Sequence, residues 1–150
     1  MSLIYDTNIC LLIIRDKTLE QKVRSKVNPN LNAEFISWVT SVELQAIAYR
    51  QKWGTPKISK LQKFLEQLNI VDIQQEQLVE RYIEIDAFSQ GKHPEKFLGG
   101  SAKNMGKHDI WIAATSSLLS FQLVSTDKDF DHLQIHFINL NRFLPSELFY

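Results

Sequence analysis

The sequence predicts an α/β fold built around a mainly parallel, five-stranded sheet. Short apolar runs, several of them rich in β-branched residues, alternate with longer stretches of helical periodicity. This alternation indicates βαβ units, whose sheets are parallel and covered by helices on both faces. The chain has 150 residues, of which 44% are hydrophobic and 23% charged. These values suit one globular domain over residues 1–150, with a C-terminal tail over 141–150.

The first half of the chain contains two predicted strands. Leu3–Tyr5 is a short apolar run that ends at a polar turn, and we interpret it as the first strand. Phe35–Val39 is aromatic and β-branched and gives the second strand. Helical spacing of apolar residues predicts the helices between and after them, which cover 11–14, 18–27, 42–53 and, after the break at Gly54-Thr55-Pro56, 58–68.

Three further strands and two helices are predicted in the second half. The strands are Ile70–Ile73, Gln122–Ser125 and His136–Leu140, and the helices cover 75–88 and 109–119. Residues 90–108 contain four lysines, four glycines and a single glutamate. This composition indicates a mobile loop that is basic and poor in secondary structure.

Charge and cysteine content exclude several classes of protein. Lys and Arg number 17, as do Asp and Glu, so overall charge gives no argument for nucleic-acid binding. The single cysteine, Cys10, forms no internal disulfide, and we expect a reduced, cytoplasmic protein. We expect neither a membrane span nor a secretory signal, because no apolar run is long enough and the N-terminus lacks a basic segment.

Four acidic residues stand at or near the carboxyl ends of predicted strands. Asp6 ends the first strand and Asp127 the fourth, while Glu43 and Asp109 open helices that reach the same edge of the sheet. Ligands of open parallel sheets bind at that edge, so we expect the carboxylates to converge. Each acid alone also fits a helix cap or a turn, and Glu43 completes a capping box that begins at Thr40.

Converging carboxylates predict a metal site. Several carboxylates close together repel one another unless a cation is present. Oxygen ligands without paired His or Cys select a hard ion, Mg²⁺ or Mn²⁺. Pairs of such ions about 4 Å apart hydrolyse phosphodiesters, since one ion activates the attacking water and the other neutralises the leaving oxygen.

Four segments give the chain its resemblance to PIN-domain ribonucleases, in particular to VapC-like toxins of bacterial toxin–antitoxin systems. They occur in the family's order between about Leu3 and Leu140. They are Leu3-Ile4-Tyr5-Asp6-Thr7-Asn8, Thr40-Ser41-Val42-Glu43-Leu44, Lys107-His108-Asp109-Ile110-Trp111-Ile112-Ala113-Ala114 and Leu123-Val124-Ser125-Thr126-Asp127-Lys128-Asp129-Phe130. The resemblance implies an α/β/α sandwich, cleavage of single-stranded RNA, a small antitoxin partner and, as is common in similar proteins, a homodimer.

The resemblance also implies roles for individual residues. The catalytic metal ligands would be Asp6, Glu43, Asp109 and Asp127, with Asp6 and Asp109 the most direct. Asp129 is either a further ligand or a turn cap. The supporting residues would be Asn8, beside Asp6, and Ser125, at the border of the site. His108 replaces a residue that is often a small amide in similar sequences, which bears on substrate contacts.

The basic loop has two interpretations. Its lysines either contact RNA phosphates beside the metals, with Lys103, Lys107 and the neighbouring His108 as candidates, or form a solvated flexible segment.

Two other functions stay open from the sequence. One is a non-catalytic PIN domain that binds RNA or a protein, although degenerate sites usually lose acids and this chain has the full set. The other is a Mg²⁺-dependent phosphatase or receiver-like domain. A haloacid-type phosphatase would need an aspartate two residues after Asp6, where Asn8 stands.

Overall fold

The structure is a computed structural model, and it describes residues 1–73 and 75–149. Within these residues, five parallel strands form one sheet in the order β3-β2-β1-β4-β5. The strands are β1 (Ser2–Tyr5), β2 (Ala33–Ser37), β3 (Asn69–Val71), β4 (Gln122–Ser125) and β5 (Asn139–Arg142). The predicted α/β fold with a parallel sheet is therefore confirmed.

Helices connect the strands and cover the sheet. The described helices are α1 (Thr7–Arg15), α2 (Lys17–Val27), α3 (Trp38–Arg50), α4 (Thr55–Gln67), α5 (Glu76–Ser89), α6 (Lys107–Leu119), α7 (Pro145–Phe149) and a 3₁₀ helix (Lys128–Leu133). None of these described helices has the length and apolar character that a membrane span requires.

The sheet lies between two groups of buried apolar side chains. One group comes mainly from α1 to α4 and includes Leu148 of α7, and the other comes mainly from α5, α6 and the 3₁₀ helix and includes Ile112. The central strand β1 contributes to both, because successive side chains of a strand point to opposite faces. Leu3 and Tyr5 belong to the first group and Ile4 to the second.

The order of the strands reverses direction between β1 and β4. The chain runs outward from β1 through β2 to β3 and then crosses to the other side of β1 for β4 and β5. Such a switch point opens a crevice at the carboxyl ends of the two strands. Tyr5 pairs with Val124, and the Asp6 N–H donates to the Val124 carbonyl across 3.2 Å. Residues that follow β1 and β4 therefore start side by side.

Strand β2 ends before the predicted Phe35–Val39 boundary. Ser37 caps α3, since its Oγ accepts a hydrogen bond from the Thr40 N–H across 3.1 Å, and the helix begins at Trp38. The capping box expected from Thr40 to Glu43 is therefore wrong, because the helix starts upstream of it. Strand β3 begins one residue before the predicted Ile70–Ile73 and ends two residues earlier, at Val71.

Strand β5 begins later than the predicted His136–Leu140. The residues before it form the turn that closes the 3₁₀ helix, where the N–H groups of Phe137 and Ile138 donate to the Leu133 carbonyl at 2.9 and 3.2 Å. The apolar character that predicted a strand belongs here to side chains that pack from a turn, and Ile138 is buried.

The tail expected over 141–150 is structured over most of its length. It contains the end of β5 and helix α7, and Tyr150 lies outside the described residues. Leu148 is fully buried in the first apolar group. The Lys26 ammonium donates to the Glu147 carbonyl, which attaches α7 to α2.

Residues 91–106, all of them described, contain neither helix nor strand, as predicted for the basic loop. Helix α6 already includes Lys107 and His108, which were expected to belong to the loop. The loop is attached at its end, where the Lys103 N–H donates to the Ser89 carbonyl across 2.7 Å and Met105 is buried.

Candidate metal centre

Asp6 lies at the switch point and is almost fully buried. It caps α1, with Oδ1 accepting from the Ile9 N–H across 3.0 Å, and Oδ2 accepts from the Ser125 hydroxyl. Burial raises the pKa of Asp6 to about 6; the two hydrogen bonds oppose this, and the charges of Asp109 and Asp127 add to it. Each carboxylate oxygen has two lone pairs, so these bonds still leave Asp6 able to accept a cation.

Three other carboxylates form a group to which Asp6 does not belong, although the charges of Asp109 and Asp127 act on Asp6. Asp109 lies in the first turn of α6, Asp127 caps the 3₁₀ helix and Asp129 lies in the first turn of that helix. One oxygen of each lies within 4.8 Å of the other two. Burial raises the pKa of Asp109 to about 6, and repulsion from Asp127, Glu43 and Asp129 contributes further. We refer to Asp109, Asp127 and Asp129 as the acidic cluster.

Local hydrogen bonds hold the acidic cluster in place. Ser125 Oγ accepts from the Asp127 N–H across 2.9 Å, and Asp127 Oδ1 accepts from the Asp129 N–H, also across 2.9 Å. The sequence left open whether Asp127 is only a helix cap. In the structure it both caps the 3₁₀ helix and belongs to the acidic cluster. Because Ser125 also donates to Asp6, one hydroxyl connects the end of β1 with the turn after β4.

Glu43 approaches the cluster from α3. Its Oε2 accepts from the Thr7 hydroxyl across 2.7 Å and lies 3.5 Å from His108 Nδ1. Glu43 lies outside the group of three carboxylates that share short distances, yet its charge helps to raise the pKa of Asp109. It therefore borders the cluster.

The other residues expected at the site are placed differently. Asn8 is exposed, and the hydrogen bonds described for Asp6 go to Ile9 and Ser125 instead. Lys107 is exposed in the first turn of α6. Sequence reasoning missed the contact that Thr7 makes with Glu43, although Thr7 directly follows Asp6 in one of the matched segments.

A second contact that sequence reasoning missed lies behind the 3₁₀ helix. Ser89 Oγ lies 2.8 Å from His132 Nε2, and the rings of Phe88 and His132 are stacked with centroids 6.1 Å apart. Burial and the charge of Lys103 lower the pKa of His132. The end of α5 is thus attached to the short helix that carries Asp129.

The sequence profile of the PIN domain matches residues 3–135. The chain belongs to the PIN-domain family. The resemblance deduced from the four segments is therefore confirmed. A comparison with curated protein sequences gives no significant match.

Solved structures with the same fold include toxin–antitoxin complexes. A chain of VapBC2 from Rickettsia felis, bound to a DNA fragment from its promoter, matches with a TM-score of 0.73 and 23% identity. A chain of VapBC-1 from nontypeable Haemophilus influenzae matches with a TM-score of 0.70 and 20% identity. In both cases the match covers 95% of this chain and 98% of the other. This PIN domain therefore has the same fold along nearly its whole length.

The donor atoms of this PIN domain fit a hard divalent cation. Mg²⁺ binds oxygen at about 2.1 Å, so two of its ligand oxygens lie at most about 4.2 Å apart. The three oxygens of the acidic cluster lie within 4.8 Å of one another, which is close to that distance. Small side-chain shifts would therefore bring all three onto one ion. The pKa values of Asp6 and Asp109 are raised first by burial and then by neighbouring acidic charges, and a bound cation would favour the ionised form of both groups.

Proposed function

We propose that the chain is an endoribonuclease that depends on Mg²⁺ or Mn²⁺, hydrolyses RNA phosphodiester bonds and acts as the toxin of a toxin–antitoxin pair. The observation that carries this proposal is the acidic cluster, which adjoins Asp6 and Glu43 at the switch point of a PIN domain. Overall charge attracts no polyanion, because the formal net charge is zero. A bound cation at the cluster would supply the local attraction for phosphate.

Each acidic residue has a proposed role. Asp109, Asp127 and Asp129 would hold the cation, and Asp6 would add an oxygen from the end of the neighbouring strand β1. When bound, divalent ions lower the pKa of an attacking water and neutralise the leaving oxygen. Glu43, oriented by Thr7, positions the water, and Ser125 keeps Asp6 and Asp127 in register.

The proposed reaction is an in-line attack on phosphorus that leaves a 5′-phosphate and a 3′-hydroxyl. It depends on positioning and on charge neutralisation by the site, without a covalent enzyme intermediate.

The proposed partners follow from the fold. The matched solved structures are toxin–antitoxin complexes, which supports a small antitoxin protein as the partner of this chain. A homodimer and a cytoplasmic location complete the proposal. Co-expression with the product of an adjacent gene, followed by size-exclusion chromatography with light scattering, measures both the antitoxin complex and the subunit number.

The nuclease proposal is tested by incubating the purified protein with total RNA in Mg²⁺, in Mn²⁺ and in chelator. We expect cleavage only with a divalent ion, and sequencing of the new 5′ ends identifies the target. Asp109→Asn should abolish cleavage. The control Asp86→Asn should retain it, because Asp86 lies on α5 and is not part of the acidic cluster. RNA binding without cleavage in either ion would indicate a non-catalytic PIN module instead.

A further inference from the structure

We propose that a groove beside the acidic cluster binds the stretch of single-stranded RNA next to the cleaved bond, through its phosphates. The groove has a volume of about 580 Å³ and lies between the end of the basic loop and the 3₁₀ helix. Its lining includes Lys103, Asn104, Lys128, Asp129 and His132. Its volume is within the ~300–1,000 Å³ typical of small-ligand sites. The choice of RNA as its ligand rests on the proposed nuclease function.

The groove shares a residue with the acidic cluster. Asp129 belongs to both, so a strand with one phosphate at the cluster reaches the groove without crossing another element. The groove therefore continues the site along the substrate.

The charges in the groove favour a polyanion once a cation occupies the cluster. Of its two acids, Asp131 is paired with Arg142 across 2.7 Å, and Asp129 faces the cation site. Among the described residues, no acidic side chain forms an ion pair with Lys103 or Lys128. Both ammonium groups are thus available to phosphate oxygens.

Contacts of Ser89 hold together the two walls of the groove. Ser89 Oγ lies 2.8 Å from His132 Nε2 and donates to Met105 Sδ across 3.3 Å. The Ser89 carbonyl accepts from the Lys103 N–H. One buried serine therefore connects the loop that carries Lys103 with the helix that carries Lys128.

The lining of the groove shows which lysine of the basic loop is placed to contact RNA phosphates and which is not. Lys103 lines it together with Lys128, a residue that the loop does not contain, whereas Lys107 is absent from the lining. Lys103 and Lys128 are accordingly the residues assigned to phosphate binding here, and Asn104 offers the neighbouring amide for a base edge.

The test uses fluorescence anisotropy to measure binding of a labelled single-stranded RNA of about 12 nucleotides in Mg²⁺ at several salt concentrations. The RNA carries a phosphorothioate backbone so that it resists cleavage. For a single strand, each phosphate contact contributes about 0.7 to the slope of log affinity against log salt, which is roughly a fivefold effect at 0.1 M salt. Lys103→Ala and Lys128→Ala should each weaken binding by about this factor and lower the slope by about 0.7. Lys128→Arg should restore both values.

Lys60→Ala is the matched control, because Lys60 is a lysine of α4 that lines a different pocket together with Ile13 of α1. It should leave affinity and slope unchanged, and Mn²⁺ binding by calorimetry should be the same in all these variants. If the double variant Lys103→Ala/Lys128→Ala binds RNA like the wild type, or no more weakly than Lys60→Ala, the groove assignment is wrong.

Cleavage assays on the same protein variants test the groove proposal and the nuclease proposal independently. In Mg²⁺, the lysine variants should raise KM for RNA cleavage and leave kcat near the wild-type value. Cleavage with unchanged KM in both variants would overturn the groove and leave the nuclease standing. Lysine-dependent binding by a wild-type protein that cleaves nothing would support the groove and overturn the nuclease.

Discussion

The Thr7 hydroxyl donates to Glu43 Oε2 across 2.7 Å and joins the first turn of α1 to the second turn of α3. Thr7 is buried, whereas Glu43 is only partly buried, and the same Oε2 lies 3.5 Å from His108 Nδ1. The bond selects one orientation of the Glu43 carboxylate beside the acidic cluster. Thr7 is therefore a positioning residue that acts through Glu43.

Removing that hydroxyl should impair the reaction more than the fold. Thr7→Val keeps the shape of the side chain, and we expect kcat for RNA cleavage to fall by about 10–100-fold, as for other residues that orient a metal ligand or its neighbour. Thr7→Ser keeps the hydroxyl and should retain most of the activity. Equal kcat values for Thr7→Val and the wild type would show that the orientation of Glu43 is unimportant.

Asp129 should act as a metal ligand in addition to its place in the turn. Asp129→Asn should weaken Mn²⁺ binding by at least about 10-fold, since it removes a charged oxygen from the site. The cap of the 3₁₀ helix should persist, because it uses the Asp129 backbone N–H. Isothermal titration calorimetry makes the comparison with Asp131→Asn, and matching affinities would assign Asp129 to the turn alone.

The metal-free protein should lose stability as the pH rises through the raised pKa values. Asp6 and Asp109 titrate near pH 6 in the fold against an ordinary value of 3.8, so folding favours their protonated forms. Their stabilising contribution is complete below pH 3.8 and is lost as the pH rises through about 6. We expect Tm in chelator, measured calorimetrically, to fall over that range and excess Mg²⁺ to reverse the fall.

Asp109→Asn isolates this electrostatic effect. The variant removes a charge that burial and the neighbouring carboxylates both disfavour. In chelator at neutral pH it should therefore melt at a higher temperature than the wild type, and Mg²⁺ should raise its Tm much less. Asp6→Asn is a poorer choice, because an amide NH₂ in place of Oδ2 would face the Ser125 hydroxyl, which now donates to that oxygen. A lower Tm for Asp109→Asn in chelator would contradict the repulsion inferred for the cluster.

Helix α7 should contribute to global stability. Leu148→Ala empties a fully buried site, and we expect it to lower the free energy of unfolding by about 2–5 kcal/mol in urea denaturation. Leu144→Ala, at a half-exposed position next to α7, should cost less than about 0.5 kcal/mol. Similar losses in both variants would mean that α7 is not part of the core.

The residues at the ends of β1 and β4 were predictable because their strands are apolar runs that stop at an acid. The start of α3 was not, since Ser37 and Thr40 are both good caps and only the path of the chain after β2 selects Ser37. The contact between Ser89 and His132 joins residues far apart in sequence, and neither residue stands in a recognisable motif. The predicted strand His136–Leu140 began too early, because a buried turn and a strand can have the same apolar composition.

The acids of the site are attached to different sides of the sheet. Asp6 leads into α1, which packs in the first apolar group, whereas Asp109 and Asp129 adjoin residues of the second, including Ile110 and Phe130. Loss of packing in either apolar group would therefore misalign the carboxylates before the whole molecule unfolds. Loss of the proposed nuclease activity should therefore precede loss of ellipticity during gradual denaturation, and this order is the expected sign of partial disorder in this protein.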